Sequence, residues 1–169
     1  MANRTPLIAG NWKMYKTVSE AVATAEQLKT IVTGTAGVDV MVAPPFTAVA
    51  AVCEAVKGSN VAVGGQDLYW ETEGAYTGEV SPAMLVDAGC RYVIIGHSER
   101  RQFFGETDGS VNKKITAAID AGLIPVMCIG ESENEREAGQ TFSVLDKQVK
   151  KGLEGCFADN LKTLVIAYE

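Results

Sequence analysis

The chain has 169 residues, 47% hydrophobic and 21% charged, a composition that supports a packed core and excludes a disordered tract. Its formal net charge of −6, with lysines and arginines scattered along the chain, excludes a basic stripe for nucleic acid. No apolar run reaches membrane-spanning length, and residues 1–13 lack the apolar core of an export signal; with no C-x-x-C among Cys53, Cys90, Cys128 and Cys156, a cytoplasmic protein with reduced thiols, no metal and no membrane partner is expected.

In chain order, a β-branched run at 7–11 predicts the first strand. Thr17 with Glu20 reads as a capping box opening a helix whose apolar stripe is Ala21, Ala25, Leu28 and Val32. Further runs at 38–43 and 61–65 predict two strands, with a helix between them. Residues 66–80 follow without periodicity, and a connection of that length in a compact domain is usually functional. Ser81-Pro82 supplies a capping hydroxyl and a proline at a first helical position.

A strand at 92–96 leads to a helix that Asp108 is placed to cap, with Val111, Ile115 and Ile119 facing inward and Ala121-Gly122 at its end. Strands at 124–129 and 164–168 flank a helical stretch over 134–154 that contains Gly139, a candidate break. The result is six strands and five helices in one α/β domain over residues 1–169. Strands apolar almost throughout point to a parallel sheet buried on both faces. Periodicity alone leaves a doubly wound open sheet and part of a (β/α)8 barrel both open, but no G-x-G-x-x-G follows the first strand and no phosphate-binding P-loop occurs, so nucleotide binding has no support.

Right-handed crossovers put the strand C-termini on one rim. There stand Lys13 after the first strand, His97 after the fourth and Glu169 after the sixth. Each alone is an ordinary surface or structural residue. Together they are a carboxylate able to take a carbon-bound proton, an imidazole able to donate to an oxygen gaining charge, and an ammonium able to balance that charge.

The segments Gly10-Asn11-Trp12-Lys13-Met14, Ala43-Pro44-Pro45-Phe46, Gly74-Ala75-Tyr76-Thr77-Gly78-Glu79, Ile95-Gly96-His97-Ser98-Glu99-Arg100-Arg101, Cys128-Ile129-Gly130-Glu131 and Ala167-Tyr168-Glu169, in this order, resemble triosephosphate isomerases along the whole chain. The resemblance implies a TIM (β/α)8 barrel of which this chain supplies the first six strands and five helices. It implies an aldose-ketose isomerase without cofactor, acting on triose phosphates through an enediolate. Glu169 would be the catalytic base, His97 the electrophile and Lys13 the fixed positive charge. A neutral histidine in that role is an established feature of the family. Asn11 would bind substrate beside Lys13, with Ser98 and Glu99 supporting and Cys128 packing near the base.

The same resemblance implies that residues 66–80 interdigitate with a second copy, Thr77 approaching the neighbour's Asn11 and Lys13 in a homodimer. Asp67 stands where the family usually has asparagine. An eight-repeat barrel takes about 250 residues, so two strands, the lid and the phosphate loops are expected to lie outside these 169 residues, which alone are expected to be poorly stable and inactive. Another aldose-ketose isomerase on the same barrel and a non-catalytic module are the competing readings.

Overall fold

The computed structural model describes residues 4–159 and 161–169; residues 1–3, the start of the segment read for an export signal, lie outside them. Six strands form one sheet, β1 (Leu7–Asn11), β2 (Asp39–Ala43), β3 (Val61–Gly65), β4 (Tyr92–Ile95), β5 (Ile124–Ile129) and β6 (Val165–Tyr168). They are ordered β1-β2-β3-β4-β5-β6 and each pairs in parallel with its predecessor. This half-barrel is part of a TIM barrel.

The nearly continuous apolar runs follow from burial on both faces. Val40, Val42, Val93, Ile95, Met127 and Ile129 pack outward into the core shared with the helices. Their alternating neighbours Met41, Ala43, Tyr92, Ile94, Val126 and Cys128 form a second cluster on the inner face. Side chains alternate along a strand, so both faces being apolar leaves no polar period to read. β1 and β6 end the sheet, where Ile8 and Ile166 are 62% and 47% exposed.

The helices are α1 (Val18–Ile31), α2 (Val49–Ala55, preceded by a 3-10 turn at Phe46–Ala48), α3 (Pro82–Asp87), α4 (Ser98–Phe103), α5 (Asp108–Asp120), α6 (Glu133–Glu137) and α7 (Thr141–Gly152). The described residues thus carry seven α-helices where five were expected. α4 is an extra turn of chain directly after β4, and the expected 134–154 helix is split at Gly139, whose φ of 68° cannot continue a right-handed helix.

At the start of α1 the Thr17 N–H and hydroxyl both donate to the Glu20 carboxylate, at 2.8 and 2.7 Å. Ser81 accepts from the Met84 N–H at 3.4 Å to start α3. The α5 cap is Thr107, not Asp108: the Thr107 hydroxyl accepts from the Ser110 N–H at 3.2 Å. Asp108, in the first turn, instead accepts from Arg101 at 2.7 Å. Among the described residues no helix is long and apolar enough to cross a membrane.

Candidate active site

All three rim residues lie just past strand C-termini, so the parallel sheet delivers them to one edge. Asn11 ends β1, and Lys13 follows in a tight turn with φ of 50°. A non-glycine residue in that region is held against its preference. The Asn11 carboxamide oxygen accepts the Lys13 N–H at 3.0 Å, and the Gln66 amide donates to the carbonyls of Lys13 and Ala43 at 2.9 and 2.8 Å. These bonds tie the lysine turn to the ends of β2 and β3.

After β4, Gly96 takes φ of 78°, turning the chain so that His97 becomes the N-cap of α4. Its Nδ1 accepts the Glu99 backbone N–H at 3.3 Å. A backbone N–H can only donate, so Nδ1 is the acceptor and the proton of the neutral ring sits on Nε2. Nε2 lies 3.3 Å from Oε2 of Glu169.

Glu169 follows β6 and is fixed by three donations: its own N–H to the Ile129 carbonyl at 3.0 Å, and to its carboxylate the Ser98 N–H at 2.8 Å and the Ser98 hydroxyl at 2.9 Å. The carboxylate therefore caps the first turn of α4, where backbone N–H groups are free to bind an anion. A Cβ on Gly130 would collide with the Glu169 carbonyl, so that glycine is what allows β6 to close on β5 at this point.

Lys13 Nζ lies 2.9 Å from Glu99 Oε1. That hydrogen bond and charge pairing raise the lysine pKa above its ordinary value and lower that of Glu99. Glu99 Oε2 is also 3.5 Å from His97 Nδ1; that nitrogen carries no proton, so Glu99 joins ring and ammonium through its backbone N–H on Nδ1 and its carboxylate on Lys13. Cys128 is buried on the inner face of β5, and its thiol is pushed up to about 12, first by burial and then by the nearby Glu169 charge.

Lys13, His97, Ser98, Glu99 and Glu169 thus meet through direct contacts, with Asn11 in the same turn as Lys13 and Cys128 beneath. Thr77 does not join them: it lies in the exposed stretch 71–79, beyond a neck closed by the Tyr69 N–H donating to the Val80 carbonyl at 2.8 Å. Tyr69 packs against Trp70 and Tyr76 at ring-centroid distances of 4.1 and 4.6 Å.

Three features escaped the sequence reading. Gln66, a polar residue just past β3, occupies the same rim position as the others, but the sequence marks it only as the start of a loop. Gly130 carried no local signal. Behind α4, a buried cluster joins Asp67 to Lys114 at 2.7 Å and to Arg100 at 2.8 Å, with Glu106 also on Lys114 at 2.6 Å. Burial, reinforced by the Glu106 charge, outweighs both cations and raises Asp67 to about 6. On the adjacent residue, Arg101 donates to the Gly96 carbonyl at 2.9 Å. α4 is thereby anchored from two sides.

Among the described residues no three His, Cys, Asp or Glu side chains gather as metal ligands.

The family model for triosephosphate isomerase matches residues 6–169. The triosephosphate isomerases of Geotalea uraniireducens and Moorella thermoacetica are 55% and 57% identical to the chain over 166 residues, 98% of this chain and 66% of each relative. The crystal structure of triosephosphate isomerase from Bartonella henselae superposes with a TM-score of 0.86 at 35% identity, covering 98% of this chain and 68% of that one. The chain therefore spans slightly less than two thirds of the two curated relatives. With its matched segments, parallel half-barrel and these relatives in agreement, the chain belongs to the triosephosphate isomerase family.

Proposed function

We propose that this chain carries the proton-transfer machinery of a triosephosphate isomerase, interconverting dihydroxyacetone phosphate and D-glyceraldehyde 3-phosphate through an enediolate, without a cofactor. The observation that supports it best is the approach of His97 Nε2 to the Glu169 carboxylate at 3.3 Å, with Lys13 tied to His97 through Glu99, whose carboxylate takes the ammonium and whose backbone N–H donates to Nδ1. A substrate whose two carbons lay over Glu169 would place its two oxygens toward His97.

In this reading Glu169 removes the proton from one carbon and returns it to the next. To do so its carboxylate leaves the two Ser98 hydrogen bonds that now hold it, so Ser98 is a resting partner for the base. His97, with its proton on Nε2, donates to whichever oxygen gains charge; a neutral donor is better matched in proton affinity to an enediolate than an imidazolium. Lys13 supplies a fixed positive charge for the enediolate and for the phosphate dianion. Asn11 shapes the lysine turn and hydrogen-bonds substrate, Glu99 orients both Lys13 and His97, and Cys128 packs beneath the base.

The exposed stretch 71–79 fits a homodimer in which Thr77 enters the partner's site, and a cytoplasmic location fits the substrate class. A coupled assay in both directions, on a form that includes the remaining barrel strands, tests the activity. Turnover lost in Glu169→Ala, with the fold retained by circular dichroism, supports the reading; unchanged turnover in that variant refutes it.

A further inference from the structure

Two of the four cysteines are neighbours on the side of the molecule away from the rim. Cys53 lies on α2, and Cys90 lies in the turn between α3 and β4. The residue before Cys90 is Gly89, with φ of 96°; a Cβ there would sit 3.1 Å from Cys53 Cβ and 3.3 Å from Cys53 Sγ. α2 thus approaches the turn so closely that only glycine fits, and the next residue carries the second thiol. A disulfide needs Cα atoms roughly 4.4–6.8 Å apart, and this contact brings the two backbones together within one residue of Cys90.

The two thiols are not equivalent. Cys90 is buried, whereas Cys53 is half-buried and lines a cavity of about 610 Å³ whose charged groups are Asp39, Glu54, Lys57, Asp87 and Arg91. A small molecule can reach Cys53 and not Cys90. Interaction between the two neighbouring thiols lowers that of Cys53 from its ordinary value and, together with burial, raises that of Cys90. The accessible sulfur is therefore also the better nucleophile.

We propose that Cys53 and Cys90 are a thiol-disulfide exchange site, at which a small disulfide of the glutathione class is attacked by Cys53 and leaves an intramolecular Cys53–Cys90 disulfide. The Cys53 thiolate attacks one sulfur of the reagent, forming a mixed disulfide and expelling the first thiolate. Cys90 then loses its proton and attacks Cys53 Sγ, expelling the second. Two protein thiols and one disulfide become one protein disulfide and two small thiols, with no other oxidant. The product ties α2 to the start of β4, while in a reducing cytoplasm the dithiol persists.

The test incubates the protein in glutathione buffers from fully reduced to fully oxidised, with intact mass and peptide mapping as readouts. Expected is a transient glutathionyl group on Cys53, followed by loss of two hydrogens and a Cys53–Cys90 cross-linked peptide that reductant reverses. C53S abolishes both adduct and cross-link; C90S keeps the adduct on Cys53 and loses the cross-link. Should either variant fail to fold, the wild-type time course decides alone. A stable Cys53 adduct that never resolves, first modification at Cys128 or Cys156, or no reaction in fully oxidised glutathione overturns the proposal.

Discussion

In the proposed mechanism His97 presents a donor to the reacting oxygens because its other ring nitrogen is already engaged by the Glu99 N–H. Replacing the ring with an amide in His97→Gln keeps a donor near Glu169 but loses the fixed tautomer and orientation. Turnover is expected to fall by about 10²- to 10⁴-fold with little change in KM, as steady-state kinetics on both triose phosphates would show. Lys13→Met is a different loss. It removes the charge proposed to face phosphate and enediolate alike, so kcat should fall and KM rise together, and a change confined to either constant would contradict the double role. Lys13→Met also leaves Glu99 without its partner, so the Glu99 carboxyl should titrate closer to its ordinary value, a change visible by NMR.

At the scale of elements, the site depends on how closely strands and short helices end against one another. Gly130→Ala would push the Glu169 carbonyl away from β5. The expected result is a drop in kcat of tenfold or more on the order-of-magnitude scale of a 1 Å misplacement, with melting temperature less affected than activity. Asp67 links the 66–80 connection to α4 and α5. Because its folded pKa is raised to about 6, the folded chain binds more protons here than the unfolded chain between about pH 4 and 6, so this group makes stability fall as pH rises through that window. Asp67→Asn removes the effect: the wild type should lose on the order of 3 kcal/mol relative to D67N between pH 4 and pH 7, read from denaturant melts at both values.

These same elements mark where the sequence could be read and where it could not. All six strands were placed to within a residue, because apolar runs bounded by glycine and polar residues admit little else. Lys13, His97 and Glu169 were legible because each follows a strand, and topology alone sends strand ends to one rim. Their mutual distances were not legible, since Glu99 and Ser98 hold them through contacts spanning 71 to 86 residues. α4 was missed because Ser98-Glu99-Arg100-Arg101-Gln102-Phe103 buries no apolar face, leaving no period to detect. Its stability comes from Arg100 and Arg101 reaching Asp67, Asp108 and Gly96. Thr107 displaced Asp108 as the cap because two adjacent residues both suited the position and only the Arg101 contact distinguished them.

For the molecule as a whole, β1 and β6 present unpaired edges with Ile8 and Ile166 exposed. The 169 residues by themselves are expected to show little isomerase turnover and a tendency to self-associate, because open apolar edges recruit other strands. Assay and light scattering on this polypeptide check both, and turnover near that of a full-length relative would contradict the first. The proposed dimer makes a separate claim: light scattering on a form that includes the remaining strands should give twice the monomer mass, and a fully active monomer would refute the role assigned to Thr77.

One property of the sheet bears on how such a chain is made. Every strand lies beside the one synthesised just before it, so a nascent chain leaving the ribosome always meets a finished edge and never has to wait for a distant partner. Each new strand and helix can add to what is already folded, and contacts across the entire chain, such as Arg4 donating to the Leu164 carbonyl at 3.2 Å, form last. Vectorial growth is thus built into the order of the strands.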